Sequence, residues 1–192
     1  MTELGRGAEA TITRTEIGVR KSREQKAYRH PELDKRLRQF RTRREATVLQ
    51  KLPVKGPKLI SVNDSDMTID MSFIDGFQLR DVITPENMQG YMHQLGKMLA
   101  DIHNAGIVHG DLTSSNILVK DDQLYLIDFG LSEFSDHIEQ YAVDLHLLKH
   151  SLEAKHPYME LFTLVWDSYA PSQDLRERFE EVEGRGRYKG KQ

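Results

Sequence analysis

The chain has 192 residues, with 38% hydrophobic and 30% charged residues and a formal net charge of −3. That length and balance suit one folded domain large enough to bury a core, and they exclude a disordered or fibrous chain. The absence of cysteine excludes disulfides and thiolate metal sites, and no apolar run reaches transmembrane length, so no membrane association is expected.

The amino terminus, Met1-Thr2-Glu3, begins no secretory signal, which places the expected protein in the cytoplasm. Leu4 to Ile12 has the form of a glycine-rich turn between two strands, with Gly5 and Gly7 letting backbone amides approach a phosphate closely. A strand-like stretch from Glu16 to Arg20 ends on Lys21, a candidate phosphate-binding ammonium. Arg20, Arg23 and Lys26 compete for that role.

From Arg20 to Arg44 eleven basic residues stand against Glu24, Glu32 and Asp34, whereas Glu45 to Glu183 carries ten basic and twenty-four acidic residues. Such a split suits contact with a polyanion, and a solvated basic helix also accounts for it. Thr42 to Glu45 followed by Ala46, Leu49 and Leu52 reads as a helix start. There Glu45 either closes a capping box on Thr42 or pairs with Lys21.

Ile69, Met71 and Phe73 alternate as in a strand, and Asp75-Gly76 then breaks it. This connection supplies Ser72 and Ile74 as nucleotide-binding candidates. A helix is expected from Asn87 to Ala105, with Leu95, Leu99 and Ile102 on its buried face and Gly106 as terminator. The eight histidines form no convincing ligand pair, and His93 and His103 read as helix-surface or packing residues.

The most informative segment is Val108-His109-Gly110-Asp111 through Asn116-Ile117-Leu118, followed by Asp128-Phe129-Gly130. It matches the phosphoryl-transfer core of the protein-kinase fold. Transfer of a γ-phosphoryl group needs positioning and charge neutralisation more than covalent chemistry. Asp111 would orient the nucleophile, and Asn116 and Asp128 would hold Mg²⁺, which prefers oxygen ligands. The same pattern calls for a buried lysine paired with a helix glutamate, which favours Lys21 with Glu45 over the capping box. Ile107-Val108, Ile117 to Val119 and Leu124 to Ile127 read as short buried strands around these loops.

Past Gly130, Asp144 to Leu148 reads as a buried helix, and Asp144 is either an acceptor of hydrogen bonds from the catalytic-loop backbone or a simple surface aspartate. His109-Gly110-Asp111 lacks the arginine that reads a phosphorylated activation loop, so control by loop phosphorylation is not expected. Only residues 131 to 143 separate Gly130 from Asp144, too few to build a peptide-docking platform.

Three blocks carry a closer resemblance: Gly7 to Ala10, Lys26 to Asp34 with its Tyr28-Arg29-His30-Pro31 core, and Arg41 to Ala46. With His109 to Ile117 and the ending Arg185 to Lys189, they resemble the small atypical kinase subunit of the KEOPS complex over essentially the whole chain. The resemblance implies a two-lobed, minimal α+β kinase-like fold with a truncated activation segment. Its small antiparallel-sheet lobe would span residues 1–71, its mostly helical lobe 72–183, and a basic tail 184–192. It also selects Lys21 over its basic neighbours and places Glu45, Asp111, Asn116 and Asp128 on functional positions.

The implied activity is an ATP- and Mg²⁺-dependent serine/threonine kinase that acts chiefly as an ATPase. It would support threonylcarbamoyl modification of the adenosine beside the anticodon of ANN-decoding transfer RNAs. The implied partners are the threonylcarbamoyl transferase subunit, met through the helical lobe and tail, and a small KEOPS subunit, met through the sheet lobe. Transfer RNA would be met through the basic segment and the tail. A RIO-type kinase and a non-catalytic scaffold are the alternatives; the first normally carries a winged-helix domain for which the chain has no length.

Overall fold

The computed structural model describes residues 2–7, 9–157 and 159–187. Its first lobe opens with β1 (Thr2–Arg6), β2 (Thr11–Arg14) and β3 (Val19–Ser22), continues through α1 (Pro31–Lys51), and closes with β4 (Leu59–Asn63) and β5 (Thr68–Met71). The five strands form one antiparallel sheet in the order β1-β2-β3-β5-β4. Lys21 pairs across the ladder with Ile12 and Ile69, which fixes the direction of its side chain. Val19 and Lys21 are buried on one face because alternate strand residues share a face.

Helix α1 starts eleven residues before the expected start at Thr42. Pro31 occupies the first turn, where its missing N–H costs nothing, and Glu32 and Asp34 face the positive end of the helix dipole. The stretch from Lys35 to Arg44 is almost entirely polar, so it shows no apolar stripe. It is held by charge pairs instead: Asp34 with Arg38 at 2.6 Å, Arg41 with Glu9 at 2.7 Å, Arg44 with Glu133 at 3.2 Å, and Arg43 with Asp64. Thr42 therefore lies inside the helix and forms no cap; its hydroxyl accepts from Arg23 Nη1 at 3.3 Å.

The second lobe comprises β6 (Phe77–Gln78), α2 (Leu79–Val82), α3 (Met88–Asn104), β7 (Ile107–Val108), β8 (Ile117–Lys120), β9 (Gln123–Leu126) and β10 (Glu133–Phe134). Helices α4 (Ile138–Lys155), α5 (Leu161–Tyr169) and α6 (Gln173–Arg187) complete it. Its centre is α3, whose Met92, Leu95, Leu99 and Ile102 have no exposed surface. A Cβ on Gly96 would collide with Ser168 and the Val165 carbonyl, so glycine is what lets α3 and α5 pack at backbone distance. Gly106, at φ 69°, ends α3 and turns the chain into β7.

Beyond Gly130 the chain makes one two-residue strand, β10, that pairs with β7, and enters α4 at Ile138. The short activation segment is thus a brief connector between sheet and helix. At the carboxy end, residues 184–187, expected in the tail, continue α6; the rest of the expected tail, 188–192, lies outside the described residues. Among the described residues no helix is long and apolar enough to cross a membrane.

Candidate active site

A cleft of about 230 Å³ between the lobes is lined by Val19, Lys21 and Glu45 from above and by Asn116, Leu118, Ile127 and Asp128 from below. Ser72 and Ile74, on the connection between the lobes, line its side. Beside it a second cavity of about 370 Å³ is lined by Gly7, Ala10, Lys21, Arg23, Arg41, Asp111, Asp128 and Gly130. Ile12, Lys21 and Asp128 line both, so the two spaces adjoin at those residues.

Lys21 Nζ lies 2.8 Å from Glu45 Oε1 and 2.6 Å from Asp128 Oδ1. Burial alone would lower the lysine pKa, but the charges of Glu45 and Asp128 outweigh it, and the net shift is upward. For Asp128 burial pushes the pKa up, while the Lys21 charge and hydrogen bond hold it below the usual carboxylate range. Both groups are therefore charged at neutral pH. Asp128 itself sits in the left-handed region at φ 61°, and its Oδ1 accepts from the Gly130 amide at 3.3 Å. This bend aims the carboxylate back into the cleft.

Asn116 Nδ2 donates to the Asp111 backbone oxygen at 2.9 Å and to Asp111 Oδ2 at 3.1 Å. Those bonds occupy the amide nitrogen and leave Asn116 Oδ1 for a cation. The donor set of one carboxylate and one amide oxygen fits a hard ion such as Mg²⁺, which would complete its shell with water and phosphate.

The catalytic loop is anchored from below. Asp144 on α4 accepts from the His109 amide at 2.6 Å and from the Gly110 amide at 2.8 Å, and is 1% exposed. His109 bonds through Nε2 to the Ile127 oxygen at 3.0 Å and packs on Phe129 with ring centroids 5.0 Å apart. Gly110, at φ 78°, approaches the Leu131 carbonyl so closely that no side chain fits. His103 is buried beside Asp144, stacks on Tyr141 at 4.6 Å and bonds the Tyr169 hydroxyl at 2.8 Å. It is a packing residue. Replacing Asp144 with asparagine sets an amide NH₂ against one of the two loop N–H groups, and it is expected to cost about 1–3 kcal/mol of unfolding free energy. Urea denaturation reads the loss, and an unchanged midpoint would count against this anchor.

The geometry adds two arginines to the residues read from the sequence. Gly5 lies exposed on β1 opposite Ile12, which lines the cleft, and the strand register shifts between Glu3 and Gly5, beside the cleft-lining Leu4. Gly7 keeps its place in the turn, where its amide donates to the Ala10 oxygen at 2.9 Å. Arg23 shares Glu45 with Lys21, one cation on each carboxylate oxygen. Arg41 faces the second cavity from α1 and pairs with Glu9, which also takes Arg29 at 2.9 Å; the Arg29 hydrogen bond is the main cause that lowers the Glu9 pKa. Spacing could have found both arginines: Arg23 is two residues from Lys21, and Arg41 is one helical turn before Glu45.

Comparison with known proteins follows the same lines. A protein kinase domain model matches residues 1–159. The chain is 36% identical over 210 residues to the KEOPS complex subunit Bud32 of Pyrococcus abyssi, covering 97% of this chain and 96% of that protein. It is 39% identical over 196 residues to a probable bifunctional tRNA threonylcarbamoyladenosine biosynthesis protein of Methanothermobacter thermautotrophicus, covering 96% of this chain. The chain spans only 36% of that longer relative. Among solved structures it is similar to the Rio2 kinase in an ADP/Mg²⁺-phosphoaspartate complex from Chaetomium thermophilum, at a TM-score of 0.69 and 15% identity, covering 98% of this chain and 72% of that one. WaaP in complex with acyl carrier protein follows at 0.61 and 15% identity, covering 95% of this chain and 83% of that one. At those identities the likeness is one of fold.

Proposed function

The chain belongs to the protein kinase family and, within it, to the small KEOPS kinases, and on that premise we propose that it is an atypical serine/threonine kinase working chiefly as an ATPase in the KEOPS complex. In that role it supports threonylcarbamoyladenosine formation on transfer RNA. The observation that carries the reading is the convergence of Lys21, Asn116 and Asp128 on one cleft, with Asp111 on the cavity beside it.

ATP enters with its base against Ile74 and Val19. The Ser72 amide and hydroxyl are already bonded to Lys58, each at 2.9 Å, which leaves Ile74 as the backbone donor to the base. Lys21 holds the phosphates from above, and the glycine turn at Gly7 covers them. Magnesium, when bound, neutralises the charge that develops on the β- and γ-phosphates. Asp128 and Asn116 supply its protein oxygens, and Lys21 keeps Asp128 ionised. Asp111 orients the attacking hydroxyl, from water or from serine, and Asn116 holds its carboxylate in place. Arg41 faces the same space paired with Glu9, and a terminal phosphate there would compete with Glu9 for it.

The longer relative supports a coupling to the transferase, because a counterpart of this chain makes about a third of a protein named as bifunctional in this biosynthesis. The transferase would then dock on the helical lobe and carboxy end, and a small KEOPS subunit on the sheet lobe. Transfer RNA would meet the exposed basic residues of α1, such as Lys35 and Arg36, and the carboxy end, in the cytoplasm. Phosphate release from Mg-ATP, measured with and without the transferase and transfer RNA, tests the proposal. A rise on adding the partners is the expected result; release at the buffer level in every mixture would leave only the scaffold reading.

A further inference from the structure

Two histidines one turn apart on α4, His146 and His150, meet Glu183 from α6, and one ligand atom from each lies within 4.8 Å of the others. In the sequence the histidines look scattered, because the third member of this group is thirty-three residues from His150. The fold closes that gap. The imidazoles stand edge to face with centroids 4.3 Å apart, as side chains four residues apart on a helix do.

The carboxylate of Glu183 is divided between two tasks. Its Oε2 is bonded to Lys149, whereas its Oε1 is turned toward both imidazoles, hydrogen-bonded to His146 Nδ1 and 3.8 Å from His150 Nε2. Lys149 thus fixes the carboxylate and leaves a single oxygen aimed at two ring nitrogens. On the far side of His150, Glu153 Oε2 lies 3.9 Å from Nδ1. At that distance it makes no hydrogen bond, but a side-chain rotation would bring it onto the Nδ1–H of a ligating imidazole, where a carboxylate sets the tautomer. A cation held by His146, His150 and Glu183 would therefore find one ligand already fixed by Lys149 and Glu153 within reach of another.

We propose that His146, His150 and Glu183 form a zinc site that clasps α6 onto α4. Two imidazoles and one carboxylate are the donor types zinc takes in tetrahedral sites with three protein ligands, and the fourth position stays open to water. Magnesium is not the ion for this set, since it favours oxygen ligands alone. The His150 side chain is 59% exposed, so the site opens to solvent and an ion reaches it without unfolding. The clasp has a structural consequence, because His146 is two residues past Asp144, the anchor of the catalytic loop. Zinc would join the last helix to the helix that holds that loop. This inference stands apart from the phosphoryl-transfer reading, since zinc binding is measured directly and needs no turnover.

The test uses the full chain with any affinity tag removed, stripped with chelator and returned to chelator-free buffer. Calorimetric titration with zinc chloride is expected to show one ion per chain with a Kd of about one micromolar or tighter. Cobalt substituted for zinc is expected to give the intense visible bands of a tetrahedral site. His150→Ala, a change at an exposed position, should weaken zinc binding more than tenfold, and Glu153→Gln about tenfold, the lower end of what loss of an outer carboxylate costs. Zinc should raise the melting midpoint of the wild type but not of His150→Ala. No saturable binding by the wild type, or equal affinity in wild type, His146→Ala and His150→Ala, would overturn the proposal.

Discussion

Asp128→Asn is expected to lower phosphate release on the order of a hundredfold to a thousandfold while leaving the chain folded, the scale seen when one preorganised charge-stabilising group is lost. Asparagine is the variant to make, because position 128 lies at φ 61° and asparagine tolerates the left-handed region where alanine is strained. The variant keeps the shape and removes the charge, so it removes one cation ligand and one partner of Lys21. Lys21 retains Glu45 at 2.8 Å, and the Asp128 side chain is half exposed, so stability should change little. Phosphate release and a thermal melt on the same preparation separate the two effects; turnover within a few-fold of wild type would remove Asp128 from the mechanism. The pH profile gives a second reading. Lys21 holds the Asp128 pKa below the ordinary 3.8, so the ionised form dominates above that value and is lost only as pH falls through the lower, folded pKa. Asp128 should therefore contribute no inflection to activity between about pH 5 and 8.

Glu45→Gln is expected to have the largest effect on stability of any single change at the site. Glu45 is 1% exposed and neutralises two cations, Lys21 at 6% and Arg23 at 2%. With the negative charge gone, Lys21 keeps Asp128, but Arg23 is left as a buried cation with neutral partners, the Thr42 hydroxyl and at most the new amide oxygen. Removing one partner of a buried ion pair costs about 3–5 kcal/mol. In a chain of this size that lowers the melting midpoint by about 10 °C. Adding Arg23→Met should recover part of the loss, because the stranded charge is removed with its partner. A loss below about 1 kcal/mol, or no recovery in the double variant, would show that Glu45 is not the hub of this charge cluster.

What could be read in the sequence and what could not divide along a physical line. The catalytic loop and the Asp128-Phe129-Gly130 turn were legible because their chemistry is encoded at short fixed spacing, and α3 because its apolar residues repeat with the helical period. The start of α1 was hidden, since a helix stabilised by Glu9, Asp34, Asp64 and Glu133 shows no apolar stripe from Lys35 to Arg44. Strand β4 escaped because four of its five residues are exposed and give no alternation. The meeting of two histidines with Glu183 depends on a pairing between distant elements that no local pattern records.

The fastening of α1 has a consequence for how such an enzyme can be switched. In many kinases this helix swings outward to disable the lysine–glutamate pair and back to restore it. Here Glu45 is moored to two cations of the sheet lobe, Arg41 to the glycine turn, Arg43 to the turn after β4, and Arg44 to Glu133 of the opposite lobe. Rotation would have to break all of these at once. These pairs hold the Lys21–Glu45 contact closed, and inhibitors that lodge behind a displaced helix are expected to find no pocket there.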